Sequence, residues 1–232
     1  MDRLLNHLNR LTIRQLFILP LAISFISAQA LATAQAPLSS NHQDQLTKLL
    51  SKLLPKTCYS AGGFDQALTI TAVPKPIKSS GIFVFSCERG LIWSTEAPSK
   101  STLIYPLNKK GIIIDAQGNR QLLDGRAQRE LGKLLNNLMG GNMDYIQNHF
   151  SLNNADGLML TPLKKRMQKF ITNISLAKAS NTTKITMTQP QQLTVIDIFN
   201  INDYDSMALS ECKKMLPNRT ATCEQLYQWS QL

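Results

Sequence analysis

Histidine is scarce in this 232-residue chain: His7, His42 and His149 are the three, beside four cysteines, Cys58, Cys87, Cys212 and Cys223. No two cysteines have the close spacing of a zinc knuckle, and neither His42 nor His149 stands near one in sequence, so no metal centre is expected. Catalytic motifs are missing as well. The chain contains no G-x-S-x-G elbow, no H-E-x-x-H helix and no phosphate-cradling P-loop. Ser-x-x-Lys occurs twice, as Ser175 with Lys178 and Ser210 with Lys213, and an exported hydrolase built on one of them is the enzymatic reading to weigh. The first pair falls on an expected strand, where positions three apart point to opposite faces. His149 reads as a surface or hydrogen-bonded residue of a short helix, not as a base. The expectation is a protein without enzymatic activity and without a cofactor.

Long apolar runs are also few. The run Leu16 to Ile26 is interrupted by Pro20 and falls short of the roughly 20 apolar residues that a spanning helix needs. Arg3, Arg10 and Arg14 precede it and the small residues of "SAQALATAQA" follow, the layout of a secretory signal peptide. Cleavage after Ala30, Ala32 or Ala36 satisfies the small-residue rule, and a processed chain beginning near Ala32 or Thr33 is expected. That reading divides the chain into a signal peptide over 1–32, a domain over 33–202 and a tail over 203–232. No cysteine follows the apolar run to take a lipid, so a released, exported product is expected. In an oxidising compartment four cysteines read as two disulfides. Three connectivities are open, and pairing between sequence neighbours, Cys58 with Cys87 and Cys212 with Cys223, is the expectation.

Acidic residues number 15 against 25 lysines and arginines, for a net charge of +10. Removing residues 1–36 takes away three arginines and one aspartate, which leaves +8. For an exported protein this charge points away from nucleic acid and toward anionic headgroups or an acidic partner. The densest local run is "LKKRMQKF", Leu163 to Phe170, which reads equally as a solvated face of an ordinary element.

What is abundant is short strand. "NHQDQLTKLLSKLLP" first gives an amphipathic helix, with Asn41 as its expected cap, Leu46, Leu49, Leu50, Leu53 and Leu54 at helical spacing, and Pro55 as its stop. Residues 59–63 read as a turn region. "FDQALTITAV" then alternates Phe64, Gln66, Leu68 and Ile70 on one side, and "IKSSGIFVFS", "GLIWST", "STLIYPL", "GIIIDA" and "NRQLLD" follow between turn residues. A helix carries Leu131, Leu134, Leu135 and Leu138 on one stripe and stops at Gly140-Gly141, and "MDYIQNHF" gives a short second one. Strands resume with "GLMLTPL", "KFITNISLA", "TKITMTQ" and "QLTVIDIFNI", and the segment from Asp203 reads as a partly helical tail held by the last two cysteines. The fold class is α+β: one antiparallel sheet of about ten strands, large enough to curl, with helices on one side.

The series "FDQALTI", "GIFVFSCERGLIWSTEAP" and "GLMLTPLKKRMQKFITNISLA" resembles the LolA and LolA-like outer-membrane lipoprotein carriers of the periplasm. Phe64, Gln66, Gly81, Phe83, Phe85, Gly90, Leu91, Trp93 and Pro98 carry the first match, and Leu158, Leu160, Pro162, Lys164, Phe170, Ile174 and Leu176 the second. The resemblance spans roughly Gln43 to Ile201. It implies an unclosed β-barrel with a helical lid, a monomer in the periplasm of a Gram-negative bacterium. Its task would be to carry acyl chains of a lipoprotein or other lipid from an inner-membrane donor protein toward an outer-membrane acceptor. The candidate lining residues are Phe64, Phe83, Phe85, Trp93, Ile104, Leu134, Leu138 and Leu160. One departure is visible: the carriers place an arginine before the hairpin proline, and here the segment is Ser94-Thr95-Glu96-Ala97-Pro98. The alternative reading is an adaptor that binds an envelope protein through its basic face and carries no lipid.

Overall fold

A computed structural model describes residues 40–54, 57–107, 109–154 and 157–229; the expected signal peptide lies outside them. The described residues open with helix α1 (Ser40–Leu53), one residue ahead of the expected Asn41 cap. Six strands follow: β1 (Tyr59–Ile70), β2 (Ile77–Ser86), β3 (Gly90–Ala97), β4 (Ser101–Pro106), β5 (Gly111–Ile114) and β6 (Arg120–Leu123). Helices α2 (Arg126–Met139) and α3 (Met143–His149) interrupt them. The chain then returns through β7 (Phe150–Asn154), β8 (Leu158–Pro162), the single turn α4 (Lys165–Gln168), β9 (Asn173–Ala179), β10 (Thr182–Gln189) and β11 (Gln192–Tyr204). Helices α5 (Leu209–Met215) and α6 (Thr220–Trp229) close the described chain.

All eleven strands form one antiparallel sheet in the order β6-β5-β4-β3-β2-β1-β11-β10-β9-β8-β7. Each strand pairs with its sequence neighbour except at the centre, where β1 takes β11 along eleven paired positions from Tyr59↔Tyr204 to Ile70↔Gln192. Strands β6 and β7 end the order as edges, so the sheet is not closed.

Two strand boundaries differ from the expectation. Tyr59 to Gly63 is strand, not turn, with a bulge between Ala61 and Gly63. Glycine disfavours strands by default, but here each glycine makes room for a ring. A Cβ on Gly62 would stand 2.9 Å from the Phe83 ring on one face, and one on Gly63 would stand 2.5 Å from the Phe199 ring on the other. The second difference is β7, an extra strand that begins directly at the end of α3.

The two faces of the sheet are both apolar and carry separate cores. The inner face holds Phe64, Phe83, Phe85, Leu91, Leu158, Leu160, Ile174, Leu176 and Ile198, and is covered by Leu46 and Leu50 of α1, Leu134 and Leu138 of α2, and Ile146 of α3. The outer face holds Ala61, Val84, Ile92 and Ile104, and is covered by Cys212 and Leu216 with Cys223 and Leu226 of α6. The tail is therefore a helical hairpin that buries apolar surface, closed by the Cys212–Cys223 disulfide. The other pair is Cys58–Cys87, so both disulfides join sequence neighbours, as expected.

Candidate functional site

Side chains alternate across a strand, so the inner face can be followed from Phe83 by register alone. Phe83 pairs with Trp93, and Trp93 with Leu103, which in turn pairs with Ile113. On the other side Gln66 pairs with Ile196, and Met187 with Thr194. All of these positions but Phe83 converge on one cavity of about 300 Å³ beneath α2, to which Leu131 and Leu135 contribute a further wall. Seven adjacent strands, β10 through β5, would be about 29 Å across if flat. Residues from both ends of that set, Met187 and Ile113, line the same space. The sheet is curled around it.

The cavity's floor is aromatic. Phe64 stacks on Trp93 with ring centroids 4.0 Å apart, and Phe83 lies 6.1 Å from the same indole. Trp93 thus divides a packed core from open space. The apolar lining is Leu68, Trp93, Leu103, Ile113, Leu131, Leu135, Met187 and Ile196, and the uncharged polar residues Gln66, Thr95, Ser101, Gln189, Gln192 and Thr194 complete it. None of these side chains is ionisable. A charged group entering here would lose water and find no counter-ion, which costs several kcal/mol or more, while an uncharged apolar chain would meet apolar walls. A larger groove, about 500 Å³, lies on the outer face, but Asp65, Lys78 and Asp197 stand at its walls. The chemistry for a greasy guest is on the inner face.

The eight expected lining residues divide three ways. Trp93 lines the cavity and is 9% exposed. Phe64, Phe83, Phe85, Leu134, Leu138 and Leu160 face inward but are fully packed in the core beside it. Ile104 faces the other way, in the outer core under the tail. The reason is register: Trp93 opposes Leu103, so Leu103 and Tyr105 point inward and Ile104 outward. Seven apolar lining residues are absent from the expectation, Leu131 and Leu135 on α2 and Leu68, Leu103, Ile113, Met187 and Ile196 on strands; the strand residues share their parity with inward neighbours, but only the pairing across each turn reveals it.

The residues of the hydrolase reading lie outside the cavity. Ser175 sits on β9 between the inward residues Ile174 and Leu176, so it points outward. Lys213 is paired with Glu224 at 2.5 Å, across the tail hairpin. His149 ends α3 with its Nδ1 2.9 Å from the Tyr145 carbonyl and its ring stacked on Tyr145. Among the described residues no group of histidine, cysteine, aspartate and glutamate could hold a metal ion, and no helix is long and apolar enough to cross a membrane.

No family model matches the chain, and no curated protein matches it. Solved structures do. One neighbour is a putative outer membrane lipoprotein-sorting protein domain from Vibrio parahaemolyticus, at 8% identity and a TM-score of 0.44 over 75% of this chain and 97% of that one. A LolA superfamily protein from Nitrosomonas europaea is similar at 9% identity and a TM-score of 0.34, over 71% of this chain and 94% of that one. A DUF1329 family protein from Desulfovibrio piger is similar at 12% identity and a TM-score of 0.43, over 72% and 94%.

Proposed function

We propose that this protein is a periplasmic carrier that takes acyl chains of a lipoprotein or other lipid into the cavity beneath α2 and moves them toward the outer membrane. The observation that carries the reading is the cavity itself: apolar, without an ionisable wall residue, and open at one end of an unclosed barrel. At about 300 Å³ it stands at the lower end of the ~300–1,000 Å³ of ligand pockets. Each methylene it removes from water contributes about 0.8 kcal/mol, so one chain held over part of its length gains enough to stay out of water. Unpaired edges β6 and β7 are what would let the walls separate for a larger guest. The two disulfides suit an oxidising compartment. Export on a cleaved leader over 1–32, a cargo-binding domain over 33–202 and hand-over between a donor and an acceptor protein complete the proposal.

Trp93 provides the test. In a Trp229→Phe variant it is the one remaining tryptophan, and it lies at the boundary of the cavity. Titration with a fluorescent fatty acyl probe should change its emission saturably, and native mass spectrometry of protein from the exported fraction should show bound lipid or acylated peptide. A clean ligand-free mass together with no probe uptake would overturn the carrier reading.

A further inference from the structure

The antiparallel order sorts the turns into two ends. The cavity opens beside Thr95 and Ser101, which flank the β3–β4 turn, and beside Gln189 and Gln192, which flank the β10–β11 turn. The β1–β2 turn, the β5–β6 turn and the segment between β8 and β9 belong to the same end by alternation. Hydrogen bonds tie several of them together. The Thr71 N–H donates to the Gln191 carbonyl at 3.0 Å, and the Thr172 N–H to the Thr188 carbonyl at 2.8 Å. The mouth of the barrel is therefore a rim of five connections.

Two properties of that rim stand out from the rest of the surface. Five large apolar residues are exposed among the described residues, and four of them belong to the rim: Val73 at 37%, Ile77 at 48%, Leu163 at 53% and Leu193 at 38%. The fifth, Leu122, is on the edge strand β6. The same connections and strand ends expose eight cations, among them Lys75, Lys78, Lys164, Lys165, Arg166 and Lys169. Acidic residues there are two, Asp115 and Glu96. Asp115 accepts from the Gln117 and Asn119 backbone N–H groups and from Asn119 Nδ2, and Glu96 pairs with Arg219.

We infer that this rim docks the mouth of the barrel directly on an anionic lipid surface. Basic side chains are drawn to a negative leaflet, and single apolar side chains at the tips of turns enter the boundary between headgroups and acyl chains. A protein partner is recognised differently, by a central cluster of aromatic or arginine anchors seated in pockets, whereas these apolar side chains are spread over three connections and the strand ends beside them, with basic side chains on two of the three. Docking in this pose sets the apolar cavity against the acyl region of the bilayer. A chain could then pass between membrane and cavity without crossing water. The inference concerns the outside of the rim and holds whatever the cavity contains.

The test is co-sedimentation of the processed protein with phosphatidylcholine vesicles that contain or lack phosphatidylglycerol. Binding should need the anionic lipid and fall as salt is raised. Each basic side chain near such a surface is worth about fivefold in affinity, so Lys164→Glu with Lys165→Glu and Arg166→Glu should weaken binding by about a hundredfold or more. Leu163→Ser alone should weaken it by several-fold at unchanged charge. Circular dichroism and acyl-probe uptake of the same variants report folding and the cavity separately. No binding to anionic vesicles by the unaltered protein, or undiminished binding by the triple variant, would overturn the inference. So would retention on immobilised polyglutamate without vesicle binding, which would assign the rim to an acidic protein. No vesicle binding by the unaltered protein with its probe uptake intact refutes the rim alone, and vesicle binding by the unaltered protein without probe uptake refutes the carrier reading alone.

Discussion

Single residues fix how tightly the sheet can curl. Gly81 follows the irregularity between β2 and β3, and a Cβ there would stand 1.9 Å from the Ser94 carbonyl oxygen. That neighbour is backbone and cannot rotate away. Gly81→Ala should therefore destabilise the fold by about 1–3 kcal/mol, the usual cost of overpacking, and the fall will appear in the urea midpoint. Tyr105 supplies a second residue-scale prediction. It faces the inner core, and burial pushes its phenol up to about 12 from an ordinary 10. Below pH 10 both the folded and unfolded chains keep that proton, and its contribution to stability is constant. Between pH 10 and 12 the unfolded chain loses it while the folded chain holds it, so stability falls as pH rises. Urea midpoints followed across that window should decline steeply. Tyr105→Phe should flatten the decline in part, because Tyr145 is also pushed up to about 12 by burial and keeps its share. An unchanged slope in the variant would show that Tyr105 is not the residue responsible.

At the scale of elements, the tail is the part with the most unexpected role. Arg219 reaches from the tail to the β3–β4 hairpin, where its Nε lies 3.3 Å from Glu96 and it also donates to the Thr95 carbonyl and to Thr102. The hairpin whose own sequence lacks an arginine before Pro98 is thus held by one, from the outer face. The Cys212–Cys223 disulfide closes a short loop between the tail helices. Opening it by Cys212→Ser with Cys223→Ser should cost about 2–4 kcal/mol and expose Val84, Ile92 and Ile104. Thermal melting and binding of an apolar dye check this, and a variant with an unshifted melting temperature would show that the tail contributes little. Periodicity made most strands and both central helices legible, because Phe83, Phe85 and Trp93 alternate and Leu131, Leu134, Leu135 and Leu138 repeat at helical spacing. It failed where a local rule yields to tertiary contact. Gly62 and Gly63 look like a turn until Phe83 and Phe199 are seen to need the space. Phe150 looks like the end of a helix until Pro162 is seen opposite it across the β7–β8 ladder. Ile104 faces the outer core and not the expected cavity, because the side of a strand depends on the register of its turn, which hydrophobicity does not encode.

For the whole molecule, the telling feature is that one curled sheet uses both of its faces differently. The outer core is sealed by the disulfide-closed hairpin, while the inner core is packed on one side of Trp93 and opens into the cavity on the other. Apolar wall that faces water in an open cavity forgoes burial worth about 25 cal/mol per Å², which a guest would restore. Filling the space with the protein's own atoms should therefore do two opposite things. Leu135→Trp places an indole beneath α2, against Leu103 and Ile113, without touching the rim or the packed residues below Trp93. Thermal stability should hold or rise by a few degrees, whereas acyl-probe affinity should fall by tenfold or more. Loss of both would mean that Leu135 belongs to a core with no room to spare. Retention of full probe affinity at unchanged stability would mean that the guest binds elsewhere, and the outer groove beside Pro98 would be the next place to look.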